Sequence, residues 1–197
     1  MVSAPSGAGK TSLLKALLEQ DEMIHVSVSF TTRPQRPGEV DGEDYHFVDQ
    51  ETFLQMVNEG AFLEHAHVFD NYYGTNCDEV IAQLEQGYDV MLEIDWQGAR
   101  QIRSNLSYTV CIFILPPSEE VLLQRLTSRG QDDAEVIERR MRDARAEISH
   151  YPEYDYLVVN DDFTHAMEGL RAIITAERLR QEHQIDELRQ QLGNLLT

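Results

Sequence analysis

Apolar and polar positions alternate along this chain with two different periods. Leu13, Leu14, Leu17 and Leu18 share one side of a 3.6-residue repeat, so residues 11–19 read as an amphipathic helix. Residues 24–29 alternate apolar and polar as a half-buried strand does. Residues 31–38 carry two prolines and a glycine, too many for regular structure. A short strand is predicted at 45–48, a helix at 50–59 ended by Gly60, a strand at 62–69, a turn at 70–74, and a helix at 79–86 stopped by Gly87. Three apolar runs follow, at 89–94, 109–115 and 156–159, each of the kind found in buried parallel sheets. Helical segments separate them. A single long helix is predicted over about 164–196, with Ala166, Met167, Leu170, Ile173 and Ile174 as its core face.

Strands alternating with helices imply an α/β fold, a parallel sheet with helices on both faces. The stretch 30–75 breaks that rhythm and reads as an inserted antiparallel subdomain. At 197 residues, one domain is the expectation. No apolar run approaches the roughly 20 residues of a membrane helix, and no signal peptide is expected. Cys111 lies within an apolar run, where a small buried hydrophobe is the expected role.

Charge narrows the partners. The formal net charge of −19 argues against non-specific binding of nucleic acid. Basic residues are mostly arginine, gathered at 33/36, 125/129 and 139/140/142/145. Arginine suits bidentate contact with phosphate, so an acidic chain that clusters it is expected to handle small phosphates there. Ion pairing on helix faces is the alternative for any one of them.

The strongest chemical signal is Ala4-Pro-Ser-Gly-Ala-Gly-Lys-Thr11, a G-x-x-x-x-G-K-[ST] loop with Ala4 in the first glycine's place. Glycines let successive amides turn around a phosphate, the lysine reaches the terminal phosphates, and the hydroxyl of Thr11 ligates Mg²⁺. Pro5, Ser6, Gly7, Ala8, Gly9, Lys10 and Ser12 complete the segment expected to bind a nucleoside triphosphate. Only residues 1–3 remain to form the strand before it. That leaves either a very short strand or a sheet lacking one member. Glu93 and Asp95 end an apolar run and alternate onto one side, where a carboxylate can hold a magnesium-bound water. Capping of the following segment is the alternative role for Asp95.

Further motifs accompany this loop: Ser27-Val-Ser-Phe-Thr-Thr-Arg-Pro-Gln-Arg-Pro-Gly-Glu39, Asp41-Gly-Glu-Asp-Tyr45, Phe62-Leu-Glu-His-Ala66, Asn71-Tyr-Tyr-Gly-Thr75, Glu93-Ile-Asp-Trp-Gln-Gly98 and Val159-Asn-Asp-Asp162. Together, over essentially the whole chain, they resemble guanylate kinase, most closely the bacterial form. The resemblance implies a P-loop nucleoside monophosphate kinase core, an inserted mixed GMP-binding subdomain and a helical lid. The corresponding boundaries are core 1–29, 76–124 and 148–197, subdomain 30–75, and lid 125–147. It implies transfer of the γ-phosphoryl of ATP to GMP with Mg²⁺, in the cytoplasm.

The resemblance also assigns residues. Ser29, Arg33, Arg36, Tyr45 and Tyr73 meet the GMP phosphate or its surroundings. Glu64 accepts from the guanine N1–H and N2–H₂ donors, Thr75 reaches the base, and Asp95 stands near the substrate. Arg125, Arg129 and Arg140 close over the ATP phosphates, and Asn160 meets adenine. Glu93 stands where the family usually has aspartate. Arg142 is expected on a salt-bridged surface. No general base is needed, because the attacking phosphate oxygen is already ionised. ATP and GMP are thus the expected partners, with no nucleic acid and no membrane. Ile185, Leu188, Leu192 and Leu195, spaced 3, 4, 3, offer a helix face for a second copy, or for packing on the same domain. The competing class is a binding module of guanylate kinase type that reads phosphorylated peptides. Such modules lack an intact P-loop and lid arginines, which this chain keeps.

Overall fold

A computed structural model describes residues 1–68, 70–106, 108–128 and 134–196. The two-residue strand β1 (Val2–Ser3) is present and central, and both of its residues are buried. It leads through residues 4–9 into α1 (Lys10–Leu18), whose Leu13, Leu14 and Leu17 face the core. Then come β2 (Ile24–Val26), β3 (Phe30–Thr31), β4 (His46–Phe47), α2 (Gln50–Asn58), β5 (Phe62–Val68) and β6 (Asn71–Asn76). The chain continues through α3 (Cys77–Glu85), β7 (Asp89–Met91), α4 (Trp96–Asn105), β8 (Ile112–Leu115) and α5 (Glu119–Thr127). It ends with α6 (Ala134–Ile148), a 3₁₀ turn (Tyr151–Glu153), β9 (Tyr156–Val159), α7 (Phe163–Arg178) and α8 (Gln181–Leu196).

The core strands are all parallel. β1 pairs with β8 and β8 with β9, while β2 pairs with β7. A parallel bridge between Val2 and Glu93 joins the two groups, giving the order β2-β7-β1-β8-β9. Parallel pairing needs crossover connections, and the apolar runs at 89–94, 109–115 and 156–159 supply strands buried on both faces. Leu13, Leu14 and Leu17 of α1 meet Ile112, Ile114, Met167 and Leu170 in the largest core cluster. A separate small cluster, Leu122, Leu126, Met141 and Ala144, holds α5 against α6.

The stretch 30–75 forms its own four-stranded sheet, in the order β4-β3-β6-β5. It is mixed rather than wholly antiparallel, because β3 and β4 run parallel. Residues 71–74, expected in a turn, belong to β6. Tyr72 and Tyr73 favour a pleated surface, and β6 pairs with β5 from Asn71 to Asn76. The turn itself tightens at Asp70, which has φ 65°. Phe53 of α2 is fully buried beneath this sheet and stacks on Phe62 and Tyr72.

The single C-terminal helix expected over 164–196 is two helices. α7 packs on the core through Ala166, Met167 and Leu170. Arg178 at its end is drawn to Asp21 (2.7 Å) and Asp89 (2.5 Å), and Gln184 Nε2 donates to the Arg178 carbonyl (3.1 Å). Ile185, Leu192 and Leu195 of α8 are exposed. Among the described residues, none of α8 is buried, so the core face of α7 does not continue into it.

Candidate active site

The loop at residues 4–9 is shaped by two glycines with φ of 91° and 92°, values that strain any residue with a Cβ. Gly9 is also the N-cap of α1, so the positive end of that helix opens onto the loop. A Cβ on Gly9 would lie 2.4 Å from Asn160 Nδ2, so close approach as well as φ demands glycine there. Ala4 needs no such freedom: among the described residues, the only non-glycine with a positive φ is Asp70. Ser3 Oγ donates to the Ile94 carbonyl (2.7 Å), anchoring the loop's entry to the chain that leads into α4.

Asn160 and Arg125 brace the loop from behind. The buried Asn160 donates from Nδ2 to the Ala8 carbonyl (2.7 Å). Arg125 donates to that carbonyl (3.4 Å) and to the Asn160 carbonyl (2.9 Å). Arg140 reaches from α6 to donate from Nη2 to Ser6 Oγ (2.6 Å). Arg129, expected beside them, lies outside the described residues. Arg142 pairs with Glu138 on an exposed face, as anticipated.

The loop forms one wall of a cleft of about 380 Å³. Ser29, Arg36, Tyr45, Glu64 and Tyr73 line the side of the small sheet and its flanking loops, and Glu93, Asp95 and Trp96 lie across from them. Thr11 and Ser12 open onto the same space. Lys10 Nζ lies 3.7 Å from Glu93 Oε2. Glu93 and Asp95 both line the cleft, together with Ile94 between them. Asp95 also caps α4: its Oδ1 accepts from the Gly98 N–H (2.9 Å) and its Oδ2 from Gln97 Nε2 (3.0 Å). Asp95 thus takes the capping role anticipated as its alternative, while its side chain still lines the cleft.

Glu64 is the most buried charge-bearing group here, at 4% exposure. It lies opposite Thr75 in the β5–β6 register, and Oε1 accepts from Thr75 Oγ1 (2.7 Å). Its other oxygen rests against Gly98, where an added Cβ would come within 2.4 Å. Burial pushes this carboxyl up to about 7. The Thr75 hydroxyl opposes the shift, and the negative charge of Asp95 reinforces it. Burial also raises the Tyr45 hydroxyl, with Tyr73 adding to the shift, so it stays a neutral donor.

Arg33, expected to grip an anion together with Arg36, is not part of the cleft lining. Its Nη2 donates to Glu39 Oε1 (2.7 Å) and its Nη1 to the Pro34 carbonyl (2.8 Å). The guanidinium lies 5.2 Å from the Tyr45 ring centre and 5.7 Å from that of Phe47. Glu39 also accepts from the Arg36 backbone N–H (2.8 Å), so one carboxylate organises the proline-rich loop.

Glu147 of α6 lines the cleft and was not anticipated. Burial pushes it up to about 7; Lys10 opposes that shift, while Asp95 and Asp143 add to it. Seven residues separate it from Arg140, two turns on one helix face, and that spacing was the signal available in the sequence.

The family model described as guanylate kinase matches residues 1–177. The chain is 59% identical over 196 residues to the guanylate kinase of Alkalilimnicola ehrlichii, covering 100% of this chain and 97% of that one. It is 60% identical over 180 residues to that of Hahella chejuensis, covering 91% and 86%. The crystal structure of guanylate kinase from Anaplasma phagocytophilum superimposes with a TM-score of 0.75 at 37% identity, covering 91% of this chain and 85% of that one.

Proposed function

This chain belongs to the guanylate kinase family and phosphorylates GMP with ATP, giving GDP and ADP, and we propose that it does so across the cleft between the loop at 4–12 and the small sheet. In this reading residues 4–12 take the ATP phosphates, with Lys10 on the terminal ones and the α1 N-terminus adding positive potential. Ser29, Arg36, Tyr45 and Tyr73 hold the GMP phosphate. Arg33 joins them only by leaving Glu39. Glu64, seated on Thr75, accepts from the paired N–H donors of guanine. Residues 30–75 then act as the GMP-binding subdomain and residues 125–147 as the lid. Arg129 and Arg140 close toward the transferred group, Arg125 joins them only by leaving the Ala8 and Asn160 carbonyls, and Asn160 sits near adenine.

The observation that carries this reading is Glu64, a buried carboxylate aimed into the cleft lined by the phosphate loop. A group so desolvated is costly unless a ligand returns its hydrogen bonds, and a guanine edge does that.

Transfer asks the protein for alignment and charge stabilisation rather than covalent chemistry. The attacking GMP oxygen is ionised, so no side chain must take its proton. Arginines and Lys10 meet the charge spread over the transferred group. Thr11, Glu93 and Asp95 line one cleft and offer only oxygen donors, the set that suits Mg²⁺. Both Asp95 oxygens already serve the start of α4, which fits holding a magnesium-bound water better than direct ligation. When bound, Mg²⁺ supplies neutralising charge on the phosphates. The cytoplasm is the setting proposed.

A coupled assay of ADP release, with GMP, AMP, CMP and UMP offered in turn, tests the assignment. GMP is expected to exceed the others in kcat/KM by ~10²-fold or more. Equal rates with AMP would overturn it.

A further inference from the structure

Trp96 is the single tryptophan of the chain; it follows Asp95 and lines the cleft. The ring of His150 lies flat on its indole, with centroids 3.8 Å apart and planes 8° from parallel. His150 sits two residues beyond α6, the helix that carries Arg140 to Ser6 and Glu147 into the cleft.

Two further side chains close the contact. His150 Nδ1 lies 2.7 Å from Glu153 Oε1. Arg100, one turn beyond Trp96 on α4, donates to Glu153 from Nη2 (2.8 Å) and Nε (3.2 Å). Its guanidinium also lies 4.9 Å from the indole centre. Arg100 and His150 hold the Glu153 carboxyl below its ordinary range, so it is ionised and accepts from the ring. Trp96 and Arg100 of α4 thus meet His150 and Glu153 of the segment after α6 in one closed set.

This set joins two elements that bring functional groups to the cleft. The start of α4 is capped by Asp95, and α6 carries Arg140 and Glu147. The side chains are partly exposed: Arg100 57%, Glu153 37% and His150 23%. Contacts so exposed add little to global stability, but a flat stack fixes the angle between two elements.

We propose that His150 is a positioning residue for phosphoryl transfer, stacking on Trp96 so that the base of α6 is held against the first turn of α4. Arg140 and Asp95 then keep the relative placement that in-line transfer requires. The proposal rests on the reading of the cleft as a GMP kinase site.

Trp96 emission reports the contact directly. In His150→Ala the indole loses its stacked ring and meets water, so emission without nucleotide should shift to longer wavelength. kcat should fall about tenfold, with KM for GMP changed less than about threefold and the unfolding midpoint unchanged. His150→Phe keeps a flat ring and should restore both the emission and most of the turnover. Glu153→Gln keeps the shape but loses the charge that orients the imidazole, and should lower kcat by about threefold; it decides the matter if His150→Ala does not fold. Wild-type kcat in His150→Ala, a His150→Phe protein as slow as His150→Ala, or wild-type kcat in Glu153→Gln would each overturn the role of His150. A wild-type chain inactive on every nucleoside monophosphate would instead sink the reading of the cleft.

Discussion

Glu64 has one oxygen on the Thr75 hydroxyl, the other against Gly98, and almost no contact with solvent. Its folded pKa of about 7 stands above the ordinary 4.5, so between those values the folded state binds the proton more tightly than the unfolded chain. The stability linked to this group is fully present below about 4.5 and is lost as pH rises through about 7. Glu64→Gln should therefore be more stable than wild type at pH 8, by about 1–3 kcal/mol, and nearly equal at pH 5; urea unfolding at the two pH values checks this. Activity should move the other way. Only the carboxylate accepts both guanine donors, so kcat/KM for GMP in the wild type should fall as pH drops below about 7. In Glu64→Gln it should be lower by ~10²-fold and lack that limb, as steady-state profiles would show. The motif around Glu64 was legible in the sequence; its burial was not, because burial depends on α4 closing over it.

At the scale of elements, α4 does that closing. Its third residue, Gly98, lets the helix approach β5 until only a glycine fits beside the Glu64 carboxylate. The obstructed atom is the end of a flexible side chain, so Gly98→Ala should displace Glu64 rather than unfold the protein. The expected result is an unfolding midpoint within a few degrees of wild type, a KM for GMP raised about tenfold or more, and an unchanged ATP affinity. Thermal unfolding and nucleotide titrations measure these directly. Helix and strand positions were largely readable from periodicity. β6 was hidden because its Asn71 and Gly74 look like turn residues until β5 pairs with them. The break between α7 and α8 was hidden because apolar periodicity continues through it, while the core that would keep one helix straight does not.

For the whole molecule, the cleft lies between the parallel sheet's loop ends and a smaller mixed sheet. This arrangement asks for closure when both nucleotides are present. Solution scattering should show a smaller radius of gyration with a bisubstrate ligand than without; identical curves would count against closure. α8 belongs to neither wall. Of Ile185, Leu188, Leu192 and Leu195, the face expected to meet a second copy or its own domain, Ile185, Leu192 and Leu195 are exposed. A chain shortened to residue 180 should keep its kcat within about twofold and run as a monomer in light scattering. A full-length chain of twice that mass would assign the pairing to α8. Among the described residues, no helix is long and apolar enough to cross a membrane.

The sequence alone determined the phosphate loop, the alternation that makes an α/β core, and the residue types on both sides of the cleft. Those are local properties: glycine backbones, 3.6-residue and two-residue periods, and motif spacings. Tertiary structure decided which groups meet. It drew Arg33 to Glu39 and out of the cleft, set Arg125 and Asn160 behind the loop, gave Asp95 both a cap and a cleft-facing side, and brought in Glu147 from α6, a helix far along the chain from the loop. Each of these depends on desolvation and contact between residues distant in the chain, and spacing along the sequence encodes neither.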